Sequence, residues 1–256
     1  MYFVGLDIGG TKIRGIIFDA KNRQVKKEIT TKTPKNKKHF INQLEKVVLE
    51  LKKTKKIKGI GLGLPGIVNY TTGVLVKAPN LPFLNGWNAK KAFRKFRVPV
   101  RVDNDSRCFL LGEYLAGAAK GRKNIIGVTF GTGIGGGIIV DGKIYRGANN
   151  GAGEFGHMVM ESGKSFEELG AKKAFLKYGD RSEVIGIGVA NLINSFNPDI
   201  IVLGGGGIVS GKVKLNKIRK TAKKFVKSPP AVNTPIVKGK LGDLAQAIGA
   251  ALLFKC

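Results

Sequence analysis

The sequence predicts a duplicated α/β fold in which strands and helices alternate, and three observations carry that expectation. Two glycine-rich segments, residues 4–19 and 126–141, lie over each other without a gap. Gly5, Gly9, Gly15, Ile16, Ile17 and Asp19 fall on Gly127, Gly131, Gly137, Ile138, Ile139 and Asp141, a constant offset of 122 residues in a chain of 256. Each copy reads as an apolar, β-branched strand, a turn of Gly and Thr, and a second apolar strand, which is a hairpin signature. Segments with strand and helix periodicity then follow each hairpin in turn.

After the first hairpin, the Thr- and Lys-rich residues 30–38 read as a loop. Phe40, Leu44, Val47, Val48 and Leu51 recur at helical spacing on a basic amphipathic helix. Residues 57–64 form a buried strand ended by Pro65-Gly66, before a turn region that carries Asn80. Asn88 caps a short helix running through Phe96, and residues 98–102 are the next strand. It ends at Asp103-Asn104-Asp105, after which residues 106–119 read as a helix. The second hairpin and its extension occupy 124–147, followed by Gly153-Glu154-Phe155-Gly156-His157 and a short helix around 166–178. A longer helix over 183–196 stops at Asn197-Pro198, because proline cannot continue it. An apolar strand over 199–203 runs into Gly204, Gly205, Gly206 and Gly207. The Lys-rich residues 212–227 read as a surface helix, and an apolar helix over 244–253 packs back on the N-terminal half.

A hydrophobic content of 43% supports one large core or two modest ones, and the duplication favours two. Cys108 and Cys256 are too few for a disulfide framework, which points to a reducing compartment. With no secretory signal pattern and no apolar run of membrane-spanning length, a cytoplasmic protein with no membrane partner is expected. Charge is the compositional outlier: 45 Lys+Arg against 17 Asp+Glu give a formal +28. Such a charge attracts polyanions in a salt-dependent way. A lysine-rich solvated surface accounts for it equally, since the cations are scattered and form no recognisable nucleic-acid motif; no specific nucleic-acid partner is expected.

Neither glycine turn opens a helix, so neither is a dinucleotide fingerprint or a P-loop, whose glycines lie between a strand and a helix N-terminus. Glycines at a hairpin tip are either tight turns or a place where backbone N–H groups approach an anion with no Cβ in the way. Two tips facing each other would clamp a polyphosphate chain. Each carries a threonine, Thr11 and Thr132, and the first follows an acid, Asp7, placed to hold Mg²⁺ through water. Asp105 precedes a helix, where it serves as an N-cap or as a chemical acid or base; Ser106 can meet the capping need.

Asp7 to Lys12, Asn104-Asp105, Gly131 to Gly137, Gly153 to His157 and the strand running into Gly207 resemble, in order and spacing, the ROK family of sugar kinases and sugar-responsive repressors. That family belongs to the superfamily of actin and hexokinase, and the resemblance covers nearly the whole chain. It implies two α/β domains of ribonuclease-H-like topology with the active site in the cleft between them. Residues 1–105 with 243–256 would form the smaller domain and 106–242 the larger. It implies ATP and Mg²⁺, a homodimer, and Asp105 as the base that accepts the proton of a sugar hydroxyl. Asp7, Gly9, Gly10, Thr11 and Lys12, with Gly131, Thr132 and Gly133, would hold the phosphates and the metal. Asn80, Asn104, Glu154, His157 and Glu167 match sugar-binding positions, and Gly204, Gly205 and Gly206 would lie under the adenosine.

One departure stands out. Most members follow the Gly-Glu-x-Gly-His run with cysteines that join the histidine in a structural zinc site, whereas residues 158–168 contain none and Ser165 stands near the place of the last. No zinc is therefore expected. Zinc-free members include glucokinases that use inorganic polyphosphate, and Lys90, Lys91, Arg94, Lys95 and Arg97 could guide such a chain; ATP is nonetheless the expected donor. Glucose is the leading acceptor, with mannose, fructose, N-acetylmannosamine and N-acetylglucosamine left open. A repressor of the family would carry a helix-turn-helix before the first hairpin, which here starts at residue 2. An actin-like filament ATPase would not need the sugar-binding set.

Overall fold

The structure, a computed structural model, describes residues 1–255. Tyr2–Ile8 (β1) and Lys12–Asp19 (β2) form the first hairpin, and Gln24–Lys32 (β3) adds to β2 as an edge strand. Residues 30–32, expected in a loop, thus belong to a strand. Only alternate side chains of β3 are even half-buried, and an edge strand with one wet face can be built from Lys and Thr. Lys37–Lys52 (α1), capped by Asn36, lays Phe40, Leu44, Val47, Val48 and Leu51 on this sheet. Ile57–Leu64 (β4) follows, then a small hairpin of Ile67–Asn69 (β5) and Val74–Lys77 (β6). Asn88 caps Ala89–Phe93 (α2) by accepting from the Lys91 N–H, and a 3-10 turn carries the chain to Val100–Asn104 (β7) and Asp105–Ala116 (α3).

The second half repeats the plan with Ile125–Phe130 (β8), Ile134–Val140 (β9) and Lys143–Tyr145 (β10). Val159–Glu161 (β11) and Lys164–Ser165 (β12) make a hairpin turned at Ser162 and Gly163, both with positive φ, as a two-residue turn between twisted strands requires. Phe166–Gly170 (α4), Lys172–Tyr178 (α5) and Ser182–Phe196 (α6) come next, followed by Ile200–Gly204 (β13), Gly206–Val209 (α7), Leu215–Phe225 (α8), Ile236–Lys238 (β14) and Ala245–Leu252 (α9). The single helix expected around 166–178 is broken in two, because Ala171 is extended and the Lys172 N–H turns to the Gly131 carbonyl, 3.3 Å away.

The sheets have equivalent strand orders, β3-β2-β1-β4-β7 and β10-β9-β8-β13-β14, with an antiparallel three-stranded meander and two parallel strands in each. The gapless match of the hairpins breaks at their tips. Ile8 opposes Ile13 in the first, but Phe130 opposes Ile134 in the second, so the second turn is one residue shorter.

Each sheet has its own apolar core, and a third cluster joins them, with Cys108 and Leu111 of α3 meeting Ala247, Ala250 and Ala251 of α9. The approach is backbone to backbone: a Cβ on Gly249 would fall on the carbonyl oxygen of Cys108, and one on Gly61 on that of Ala250. No helix among the described residues is long and apolar enough to cross a membrane.

Candidate active site

β4 and β7 of the first sheet and β13 of the second end on one cavity of about 370 Å³, the carboxyl-end position at which open α/β sheets bind ligands. Gly9 and Gly10 enter it from the first tip, and Gly131, Thr132 and Gly133 from the second. Asn80 comes from the loop after β6, and Asn104 and Asp105 from the junction of β7 and α3. Glu154 and His157 come from the segment after β10, Glu167 from α4, and Gly205 and Gly206 from the turn after β13. Residues dispersed over most of the chain thus meet around one space. A second cavity of about 630 Å³ shares Phe130, Gly131, Thr132 and Gly206 with the first and extends between α5 and α7.

Asp105 is the first residue of α3 but not its cap. That role belongs to Asn104, whose Oδ1 accepts from the N–H groups of Ser106 and Arg107 while its Nδ2 donates to the Gly66 carbonyl. Ser106 therefore does not meet the capping need, and the Asn104 amide is engaged at both ends. One oxygen of Asp105 accepts from the Ser106 N–H at 2.8 Å. Burial pushes the Asp105 carboxyl up to about 6, with the Glu154 charge acting the same way, while the hydrogen bonds from Ser106 and the charge of Arg107 oppose it. Asp7, half-buried at the end of β1, is pushed up to about 7 by burial and then by Asp105, against Arg14 and Lys12.

Four expected residues stand off the cavity, and Asp7, on β1 behind the first tip, is one of them. Thr11 and Lys12 are exposed, and Lys12 pairs with Asp243 at 3.2 Å. Gly204 is buried at the end of β13, where a Cβ would strike the Phe109 ring, so its missing side chain makes room for a core aromatic. Gly206 is open, with nothing within 4 Å of the Cβ position, as is Gly131. Glu167 is tied to the second tip, its Oε2 accepting from the Ile134 N–H at 2.7 Å. His157 is exposed, with Nε2 3.7 Å from Glu154 Oε2.

The sequence reading missed the ionic joint beneath this surface. Buried Asp103 accepts from Arg107 Nε at 2.6 Å and from Arg146 Nε at 2.9 Å. Arg107 also donates to the carbonyls of Asn150 and Ala152, and Arg146 lies over Tyr70 at 4.2 Å. The segment leading to Glu154 is thereby tied to the strand that ends in Asp105. Asp103 and Arg107 stand four apart, a spacing that marks an ion pair along a helix start and was the available signal. Gln246, at the start of α9, also reaches the cavity and had none.

Mg²⁺ bound by one or two carboxylates, with water and substrate phosphates completing its shell, fits Asp7 beside Asp105: burying two like charges leaves a deficit of positive charge. Zinc does not fit. Among the described residues no group of three or more His, Cys, Asp or Glu side chains gathers as a ligand set. The hairpin of β11 and β12 is held instead by Ser165, which caps α4 in a reciprocal box with Glu168.

The ROK family model matches residues 3–173 and 164–256, essentially the entire chain. The chain belongs to the ROK family. A glucokinase of Streptomyces coelicolor is 27% identical over 97% of this chain and 96% of its own. An N-acetyl-D-glucosamine kinase of Aliivibrio salmonicida is 29% identical over 99% of both. The crystal structure of a ROK glucokinase from Streptomyces griseus, in complex with glucose and AMPPNP, covers 99% of each chain with a TM-score of 0.88 at 24% identity. The ROK fold, two actin-like ATPase halves, is the architecture described above.

Proposed function

We propose that this ROK-family sugar kinase transfers the γ-phosphoryl group of ATP to a hexose hydroxyl, with glucose and its 6-hydroxyl the leading acceptor. The observation that carries this reading is Asp105: a carboxyl with its ionisation near 6, opening between two glycine tips and beside a row of polyol-binding groups. Above pH 6 it is ionised and free to accept a proton, and its position at the start of α3 fixes its direction. Asn80 and His157 can each engage neighbouring hydroxyls as donor and acceptor, and the Glu154 carboxylate can accept from them.

As the sugar oxygen attacks the γ-phosphorus, its proton passes to Asp105 while the bond to the bridging oxygen of ADP breaks in line. Gly9 and Gly131 spend their N–H groups on the Lys12 and Gly133 carbonyls of their own turns, which leaves those of Gly10 and Gly133 to meet the transferring oxygens, with open space beside Gly131. Held by Asp7, Mg²⁺ would neutralise charge on the phosphates. The larger cavity accepts the nucleoside: Phe175 and Leu176 supply apolar walls, and Lys172 and Lys212 supply charge for the phosphates. We place the enzyme in a reducing cytoplasm, consistent with Cys108 as a buried free thiol, and regard it as zinc-free.

A coupled assay crossing glucose, mannose, fructose, N-acetylglucosamine and N-acetylmannosamine with ATP and nucleotide-free long-chain polyphosphate tests the reading. The highest kcat/KM is expected for glucose with ATP, in protein that elemental analysis shows to hold no stoichiometric zinc. ATP consumption indifferent to every sugar would overturn the kinase assignment. A polyphosphate rate above the ATP rate would overturn the donor.

A further inference from the structure

At the opposite end of the first sheet from the cleft lies another cavity, of about 680 Å³. Its floor is the apolar entry to β7, Val98 to Val100, and its rim carries Lys90, Lys91, Arg94 and Arg97 from α2 and the turn behind it. β7 runs from Val100 at this groove to Asn104 at the active site. At roughly 3.3 Å per residue, about 13 Å of strand separates them. A ligand here is not the one undergoing transfer.

The charge around this groove is one-sided beyond what the chain's overall excess explains. From Leu51 to Val102 there are twelve Lys and Arg and no Asp or Glu. Lys95 is neutralised by Glu45 at 2.5 Å, but the side chains of Lys91, Arg94 and Arg97 have no ion-pair or hydrogen-bond partner among the described residues. The Lys90 ammonium meets only the Thr71 carbonyl, at 2.8 Å, and burial together with Arg101 holds it below the usual lysine range. Like charges drawn around a concavity repel one another, and the repulsion is relieved by an anion that spans them. Four cations around one groove call for more negative charge than a single phosphate carries, and a chain of linked phosphates supplies it, with oxygens that suit two guanidinium forks.

We propose that this groove is an oligophosphate-binding site separate from the catalytic cleft, taking a short chain of linked phosphates either free or as the tail of a nucleotide. The test uses tripolyphosphate and calorimetry at about 0.1 M salt, where surface charge is largely screened beyond about 10 Å. The Lys91→Glu/Arg94→Glu/Arg97→Glu protein should bind one equivalent fewer than the wild type, with turnover on ATP and hexose unchanged. The gentler Arg94→Gln/Arg97→Gln protein should bind the same equivalent about tenfold more weakly. A control that reverses three exposed charges on α8, Lys220→Glu/Lys223→Glu/Lys224→Glu, should keep full stoichiometry. Competition by ATP for the groove equivalent assigns the site to nucleotide tails, and its failure assigns it to free chains; either result upholds an oligophosphate site. Unchanged stoichiometry in the groove protein, or equal losses in the groove and control proteins, would overturn the proposal.

Discussion

The two hairpin tips share a pattern and do different work. In the first, Ile8 opposes Ile13 across the longer turn, and the strand behind it is staked to the start of α9. Lys12 and Arg14 both reach Asp243, and Arg14 also pairs with Glu28 at 2.8 Å. In the second, the turn is one residue shorter and is held by α4 and α5, through Glu167 to the Ile134 N–H and the Lys172 N–H to the Gly131 carbonyl. Only the first follows an acid, Asp7; only the second places its threonine on both cavities. On the proposed reaction, one repeated unit supplies the charge-handling side of the cleft in one copy and the donor-handling side in the other. The partners that distinguish them come from segments far away in sequence.

Asp105 lines the same cavity as both tips and is the proposed base, so its loss should have the largest effect. Asp105→Asn keeps the shape but cannot take a proton, and kcat should fall by roughly 10²- to 10⁴-fold with little change in sugar affinity. The wild-type kcat/KM should decline as pH drops through about 6, where this carboxyl protonates, and that limb should be absent from the residual activity of the variant. Near-normal turnover in a variant with an unchanged circular dichroism spectrum would remove the division of labour along with the base.

Asp7→Asn tests the asymmetry directly, with two readouts of opposite sign. Turnover should fall about tenfold or more and require a higher Mg²⁺ concentration. Stability without ligands should rise by on the order of 1 kcal/mol at neutral pH and above. The sign follows from linkage: the folded carboxyl, at about 7, binds its proton more tightly than the unfolded one at 3.8, so ionisation destabilises the fold increasingly as pH rises from about 4 to 7. The gain in Tm should therefore shrink toward pH 4. A variant less stable than wild type at neutral pH would show that Asp7 holds the tip together instead of straining it.

The smallest expected effect separates the two threonines. Thr132→Ala removes a hydroxyl facing both cavities and should raise the KM for ATP about three- to tenfold. Thr11→Ala, at an exposed position off the cavity, should change it less than about twofold. Equal effects would make the tips equivalent.

The hairpins, the helix positions and the convergence of Asn80, Asp105, Glu154 and His157 were legible because glycine turns and apolar periodicity are local signals, and because the motif set fixed their order. β3 was obscured by a wet outer face, and the break between α4 and α5 by a hydrogen bond to a carbonyl some forty residues earlier. The one-residue difference between the tips could not be read from an ungapped match, since pairing is decided across the hairpin. Gly204 shows the limit of reading an absent side chain: the space it leaves belongs to Phe109. The joint of Asp103 with Arg107 and Arg146 needed the fold, because Arg146 is distant in sequence.

Where α3 crosses α9, drift in sequence is filtered by volume and hardly at all by polarity. Gly112 faces the Ala245 carbonyl, and Gly249 faces that of Cys108, each too closely for the Cβ that alanine already has. A serine could find a partner for its hydroxyl and would still fail. Trimming a neighbouring side chain offers no rescue, because main chain is what stands in the way. The joint between the halves is inherited as a matched pair of absences, and a lineage that lost one would have to move a whole helix to recover.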